Sequence, residues 1–163
     1  MKILSMKTTI FLGAMLSLLV CLMFTGCSNS ETNSTSRGLT DFAHIEEEYL
    51  ATIDSLNWPD GITLPDKLED EDTGASFQVG YGETRASYLW EYSWMKEWLD
   101  TYNTDPERAE KALEELEKAF VMPYMGIDRC DDATRNYLRE NIDKAKLGDP
   151  SGFTESIRAN YAN

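Results

Sequence analysis

The sequence predicts a mainly α protein, a small irregular bundle of four to five helices around a central aromatic-rich helix, with one short extended segment near residues 75–81. Three observations predict it. Trp90, Trp94, Trp98 and Tyr102 recur every four residues. Several other stretches carry apolar residues three or four apart between cap and stop signals, the mark of helices that bury one face. Only Ala75 to Tyr81 alternates as a strand would.

Thr8 to Gly26 carries no charge and follows Lys2 and Lys7, the pattern of an export signal. The run ends in Phe24-Thr25-Gly26-Cys27, with small Gly26 directly before the cysteine. This ending resembles the lipobox of bacterial lipoprotein signal peptides. The resemblance covers residues 1–27 and implies cleavage before Cys27, with diacylglycerol on the Cys27 thiol and an acylated new amino terminus. It therefore implies a protein held by lipid on the extracytoplasmic face of a bacterial membrane. More than one acyl chain makes such anchoring stable, at about 0.8 kcal/mol per buried methylene.

Three parts are expected: a signal peptide (1–26), a lipidated Cys27 with a polar tether to residue 38, and a single helical domain (39–163). Ser28 to Gly38 is polar and small and has nothing to bury. A tether of this length has a root-mean-square reach of about 17–20 Å and a limit of roughly 40 Å, which keeps the domain close to its membrane.

The first domain helix starts near Thr40, the expected N-cap, and places Phe42, Ile45, Tyr49, Ile53 and Leu56 on one face, with Glu46 to Glu48 in solvent. His44, the one histidine, has no Cys, Asp or second His spaced to join it as ligand or base. Asn57-Trp58-Pro59-Asp60-Gly61 ends the helix, and Trp58 is expected to plug one end of the core. The acidic run Asp66 to Asp72 fails as a calcium loop, because placing Gly74 at the sixth position puts Gly80 where a bidentate acid is required. It reads as a solvated or mobile loop. Gly80 and Gly82 lack the Gly-Lys-Ser/Thr of a phosphate loop and read as the turn into the next helix.

That helix, Glu83 to Asn103, is the expected centre. At about 100° per residue its aromatic and apolar side chains sweep roughly 200°, more than one neighbour can cover. Partners starting near Thr40, Thr104 and Asp132 are expected to cover it. Thr104-Asp105-Pro106-Glu107 reads as a capping box with proline in the first turn, leading into a stripe of Ala109, Ala112, Leu113, Leu116 and Phe120. Pro123 ends this helix, and the apolar Met122 to Ile127 is expected to pack under the bundle. Asp131 or Asp132 is expected to cap the next helix rather than join Asp128 in holding a metal, and Tyr137, Leu138, Asn141, Ile142 and Ala145 lie on one side of it. Gly148 stops that helix, and Asp149-Pro150 starts a last one with Phe153, Ile157 and Tyr161 on a common face.

The chain has a formal net charge of −14, and removal of residues 1–26 takes Lys2 and Lys7 and no acid, giving −16. Such a surface repels phosphate backbones, so no nucleic acid partner is expected. Of three cysteines, Cys21 leaves with the signal and Cys27 takes lipid, so Cys130 has no partner for an intrachain disulfide. No nucleophile–base pair, metal-ligand spacing or cofactor motif stands out, and no cofactor is expected. The leading functional reading is a non-catalytic binding or accessory domain, held by its lipid anchor and serving a membrane or envelope protein. A solute- or glycan-binding lipoprotein is the first alternative, and an envelope-polymer hydrolase with paired acids the second. Trp58, Tyr81, Trp90, Trp98 and Tyr102 are the candidate contacts for a ligand or partner.

Overall fold

The computed structural model describes residues 38–69 and 71–161. The expected signal peptide, Cys27 and the expected tether up to residue 37 lie outside the described residues. Among the described residues, no helix is long and apolar enough to cross a membrane.

The domain is a mainly α bundle of five helices around a central aromatic one, as the sequence predicts. In order the elements are β1 (Leu39–Thr40), α1 (Phe42–Ser55), β2 (Phe77–Gln78), α2 (Tyr81–Thr101), α3 (Pro106–Glu117), α4 (Asp132–Lys146) and α5 (Ser151–Asn160), with 3-10 turns at Lys118–Val121 and Pro123–Met125. The expected extended segment shrinks to two residues. β2 pairs antiparallel with β1, Leu39 opposite Gln78 and Thr40 opposite Phe77, and Val79 N–H donates to Gly38 O at 3.0 Å.

α2 packs against α1, α3, α5 and the 3-10 turn at Pro123–Met125. Three helical neighbours consume the broad apolar arc. The third is α5, whereas α4 packs chiefly on α5 and α3. Trp90, Trp94, Met95 and Trp98 are buried with Leu116, Leu138, Ile142 and Phe153. A second cluster of Ile45, Tyr49, Ile53, Leu68 and Ala86 seals α1 to the first half of α2, and Trp58 packs against both clusters.

Several ends differ from the sequence reading. α1 is capped by Asp41, which accepts from His44 N, and α3 by Asp105, which accepts from Arg108 N. In each case a carboxylate one residue beyond the expected threonine supplies the acceptor. Asp131 caps α4 by accepting from Thr134 N at 2.8 Å. Glu48 is not left in solvent: its carboxylate faces the start of α2. Nor is the acidic run free, because Leu68 is buried and Glu71 accepts from Tyr81 Oη at 2.8 Å and pairs with Arg85 at 3.3 Å. The apolar connection splits, with Tyr124 and Met125 buried and Ile127 exposed, as is Val121 just before it.

Two glycines meet different demands at the α1–α2 junction. Gly80 sits at φ 87°, the left-handed turn that glycine adopts at no steric cost. Gly82 lies against α1, where a Cβ would meet Ile45 O at 1.8 Å. Any side chain there forces the helices apart.

Candidate functional site

The chemistry-bearing feature is a carboxyl that the sequence reading left unassigned. Glu91 sits on α2 between Trp90 and Tyr92 and is only 7% exposed. At about 100° per residue it falls between Trp98 and Met95, inside the buried arc. Tyr124 comes up from the 3-10 turn and donates its hydroxyl to Glu91 Oε2 at 2.8 Å. Burial pushes the Glu91 carboxyl up to about 7, and the Tyr124 hydrogen bond only partly opposes that rise. The Tyr124 hydroxyl is raised well above the ordinary phenol range, first by burial and then by the Glu91 charge.

Glu91 lies under a cleft of about 400 Å³ formed by α2, α4 and α5, whose rim includes Tyr88, Tyr137 and Tyr161. Tyr88 meets Tyr124 edge-on at 5.7 Å between ring centroids, Tyr161 lies 4.9 Å from the Tyr92 ring, and its hydroxyl donates to Tyr88 O at 3.3 Å. Tyr88, Tyr161 and Asn160 also border a second cavity of about 530 Å³ that runs toward Arg85 and Lys67. Rings from three helices thus surround one buried acid.

Among the described residues, Cys130 and His44 are not set up for covalent chemistry. Burial raises the Cys130 thiol above its usual range, and it donates to Met125 Sδ at 3.5 Å, so it lacks the lowered pKa of a nucleophile. His44 pairs with Glu48 on α1, Nε2 to Oε1 3.3 Å. The influences on Glu91 are burial and Tyr124, with no second carboxylate among them, so the cleft does not present the close acid pair of a glycosidase. Among the described residues, no group of three His, Cys, Asp or Glu side chains is placed to hold a metal.

The aromatic candidates from the sequence occupy other places. Trp90 is 1% exposed and donates its indole N–H to Asn57 O at 2.8 Å. Trp98, 2% exposed, stacks on Tyr102 at 4.6 Å, and the pair borders a separate cavity of about 440 Å³ between α3 and the end of α4. Trp58 is half-buried and donates to Ile53 O at 2.9 Å. Tyr81 lies 5.4 Å from Phe77 and is bonded to Glu71. Trp90, Trp98, Trp58 and Tyr102 share one core cluster, in which Trp98 and Tyr102 stack, whereas Tyr81 packs against the other cluster, and Cys27 lies outside the described residues. Glu91 was detectable from its angular position on the α2 wheel, whereas Tyr124 and Tyr161 reach it from 33 and 70 positions away with no local signal.

The chain matches no protein-family model, and no significant match was found among curated proteins or solved structures.

Proposed function

We propose that this protein is a lipid-anchored domain on the extracytoplasmic face of a bacterial membrane, and that it acts by binding rather than by catalysis. The lipobox-like ending at Cys27 supports the location. The tyrosine-rimmed cleft over the buried Glu91 carboxyl supports binding, and it is the observation that carries this reading. Its volume lies within the roughly 300–1,000 Å³ of small-molecule sites, and aromatic walls with few convergent polar groups are their usual make-up. A small solute is therefore the ligand class the geometry favours.

The accessory reading, with a membrane or envelope protein as partner, is supported by a different observation. Val121, Ile127 and Leu147 are 86–88% exposed. Large apolar side chains left in water at separate connections are suited to contact with another macromolecule.

Two experiments test the proposal. Metabolic labelling with a clickable palmitate analogue should mark the wild-type protein and leave Cys27→Ser unlabelled and released; equal labelling refutes the anchor. Photocrosslinkers placed at Tyr137 and at Ile127 in intact cells should separate the ligand classes. A small-molecule adduct at Tyr137 supports the solute reading, a protein adduct at Ile127 supports the accessory one, and no adduct at either refutes the binding assignment.

A further inference from the structure

The cleft is furnished on every side but one. Glu91 Oε2 has its donor in Tyr124, while no basic side chain is turned toward the carboxyl. Arg135, Arg129, Arg85 and Lys67 each make other pairs. Arg135 on α4 donates to the carbonyls of Met125 and Cys130 and pairs with Asp132 at 2.5 Å. Arg129 pairs with Glu83 at 2.8 Å, Arg85 with Glu71 at 3.3 Å and Lys67 with Glu69 at 2.9 Å. A buried carboxylate without a cation is costly, and the group stays protonated instead. The arrangement is complete when a positive charge arrives from outside.

The rim is suited to receive one. Tyr88 and Tyr137 are 42% and 40% exposed, and Tyr161 and Asn160 close the far side. Ring faces attract ammonium groups, most strongly where water is partly excluded. The net charge of −14 raises the local concentration of cations. A bare divalent metal would need several oxygen ligands, and Glu91 supplies the one carboxyl here. A sugar hydroxyl can hydrogen-bond the protonated acid, but it gains nothing from the ionised form or from the acidic surface.

We propose that this cleft binds a small organic cation, a protonated amine with a short apolar body, its ammonium donating to the free oxygen of Glu91 and its body lying against Tyr88, Tyr137 and Tyr161. The proposal rests on the binding reading above and is independent of the lipid anchor. It carries a proton balance. The amine favours the ionised carboxyl, so below about pH 7 each molecule bound expels the Glu91 proton to solvent. The groups facing Glu91 are Tyr88 from α2, Tyr124 from the 3-10 turn, Tyr161 at the end of α5 and Cys130 from the loop before α4. All four are raised above their ordinary ranges and stay neutral from pH 5 to 8. Of Glu91 and these four neighbours, Glu91 alone changes protonation in that interval.

The test is calorimetric titration of the full chain in neutral detergent with ethylamine, phenethylamine and putrescine, with 2-phenylethanol and cellobiose as uncharged probes, at pH 5.5 and 8.0. At least one amine should bind at pH 8.0, about 30-fold more weakly at pH 5.5, with proton release at the lower pH. Phenethylamine should bind at least about tenfold more tightly than 2-phenylethanol, the advantage expected of a desolvated ion pair. Glu91→Gln should abolish that advantage and flatten the pH profile. Should Glu91→Gln not fold, Tyr137→Ala at the rim should weaken every amine several-fold and keep the pH dependence. Saturation by no amine at 10 mM, equal affinity for amine and alcohol, or pH-independent binding would each overturn the proposal. Cellobiose or 2-phenylethanol binding more tightly than any amine would sink the cation while leaving the binding reading intact. Silence from all five probes would remove the cation proposal and the small-solute reading together.

Discussion

Glu48 of α1 caps α2 at Gly80, accepting the Gly80 N–H on Oε1 at 2.7 Å while its other oxygen accepts the Gly82 N–H at 3.2 Å. Gly80 has no side chain to cap its own helix. The acceptor must therefore come from elsewhere, and α1 lends it at the end where free amides and the helix dipole favour negative charge. One carboxylate both ends a helix and docks two helices. Glu48→Ala should destabilise the domain by about 1–2 kcal/mol, and Glu48→Gln by less, because the amide oxygen keeps one bond. Chemical denaturation of the two variants at one pH measures both. Equal stability of Glu48→Ala and wild type would refute the clamp.

Gly82 makes a second demand on the same junction. With α1 backbone where its Cβ would go, Gly82→Ala should cost about 1–3 kcal/mol, the usual range for overpacking. Gly61 has nothing within 4 Å of its hypothetical Cβ but sits at φ 80°, so Gly61→Ala should cost only the backbone strain of about 1–2 kcal/mol. Thermal unfolding of Gly82→Ala should also show α1 loosening, read as faster amide exchange at Ile45 and Tyr49 than in Gly61→Ala.

Glu91 makes stability depend on pH. Its folded pKa, about 7, lies above the ordinary carboxyl value of 4.5. The folded state thus holds the proton more tightly, so the contribution is full below about pH 4.5 and is lost as pH rises through about 7. Over that interval the stability carried by this group should fall by on the order of 3 kcal/mol. Glu91→Gln should remove this fall and be the more stable form at pH 8. Guanidinium titrations of both proteins at pH 5 and pH 8 give the difference. Parallel slopes would contradict it.

Tyr124→Phe strips Glu91 of its one protein donor while keeping the ring. Leaving a buried acceptor unmatched costs about 1–3 kcal/mol, and removing an interaction that favours the ionised form should raise the Glu91 pKa further. Carbon-13 titration of the Glu91 carboxyl by NMR reads that shift; a fall would show that Tyr124 stabilises the protonated acid instead.

Local pattern made the helices legible. The stripes through Ile45 and Ile53, Ala112 and Leu116, Leu138 and Ile142, and Phe153 and Ile157 each mark the face their helix buries or half-buries. Asp131 and Gly148 mark ends for the same reason, since capping acts within a few residues. What escaped depends on distant partners. The Leu39–Thr40 strand is two residues with no pattern of its own, and it is a strand only because Phe77–Gln78 lies beside it. The caps of α1 and α3 were misplaced by one residue because Thr and Asp both accept well and stand side by side. Glu91 is visible on the helical wheel but lies among three tryptophans and several tyrosines that draw the functional reading to themselves. The Glu91 cleft depends on which helix becomes the third neighbour of α2, and periodicity does not say that α5 rather than α4 takes that place.

The two-residue ladder between β1 and β2 also defines a mechanical load path. Tension applied through the chain before Gly38 is borne first by the ladder and by the Val79 N–H to Gly38 O bond, both lying next to the first turn of α2. So few backbone bonds should part before any helix leaves the core. Under the proposed anchoring, the ladder would act as a fuse between tether and bundle, releasing a few residues of chain while the tyrosine cleft stays intact. In a pulling experiment between residues 38 and 161, a small first extension ahead of global rupture would register that release, and rupture in one step would show that the ladder breaks only with the bundle.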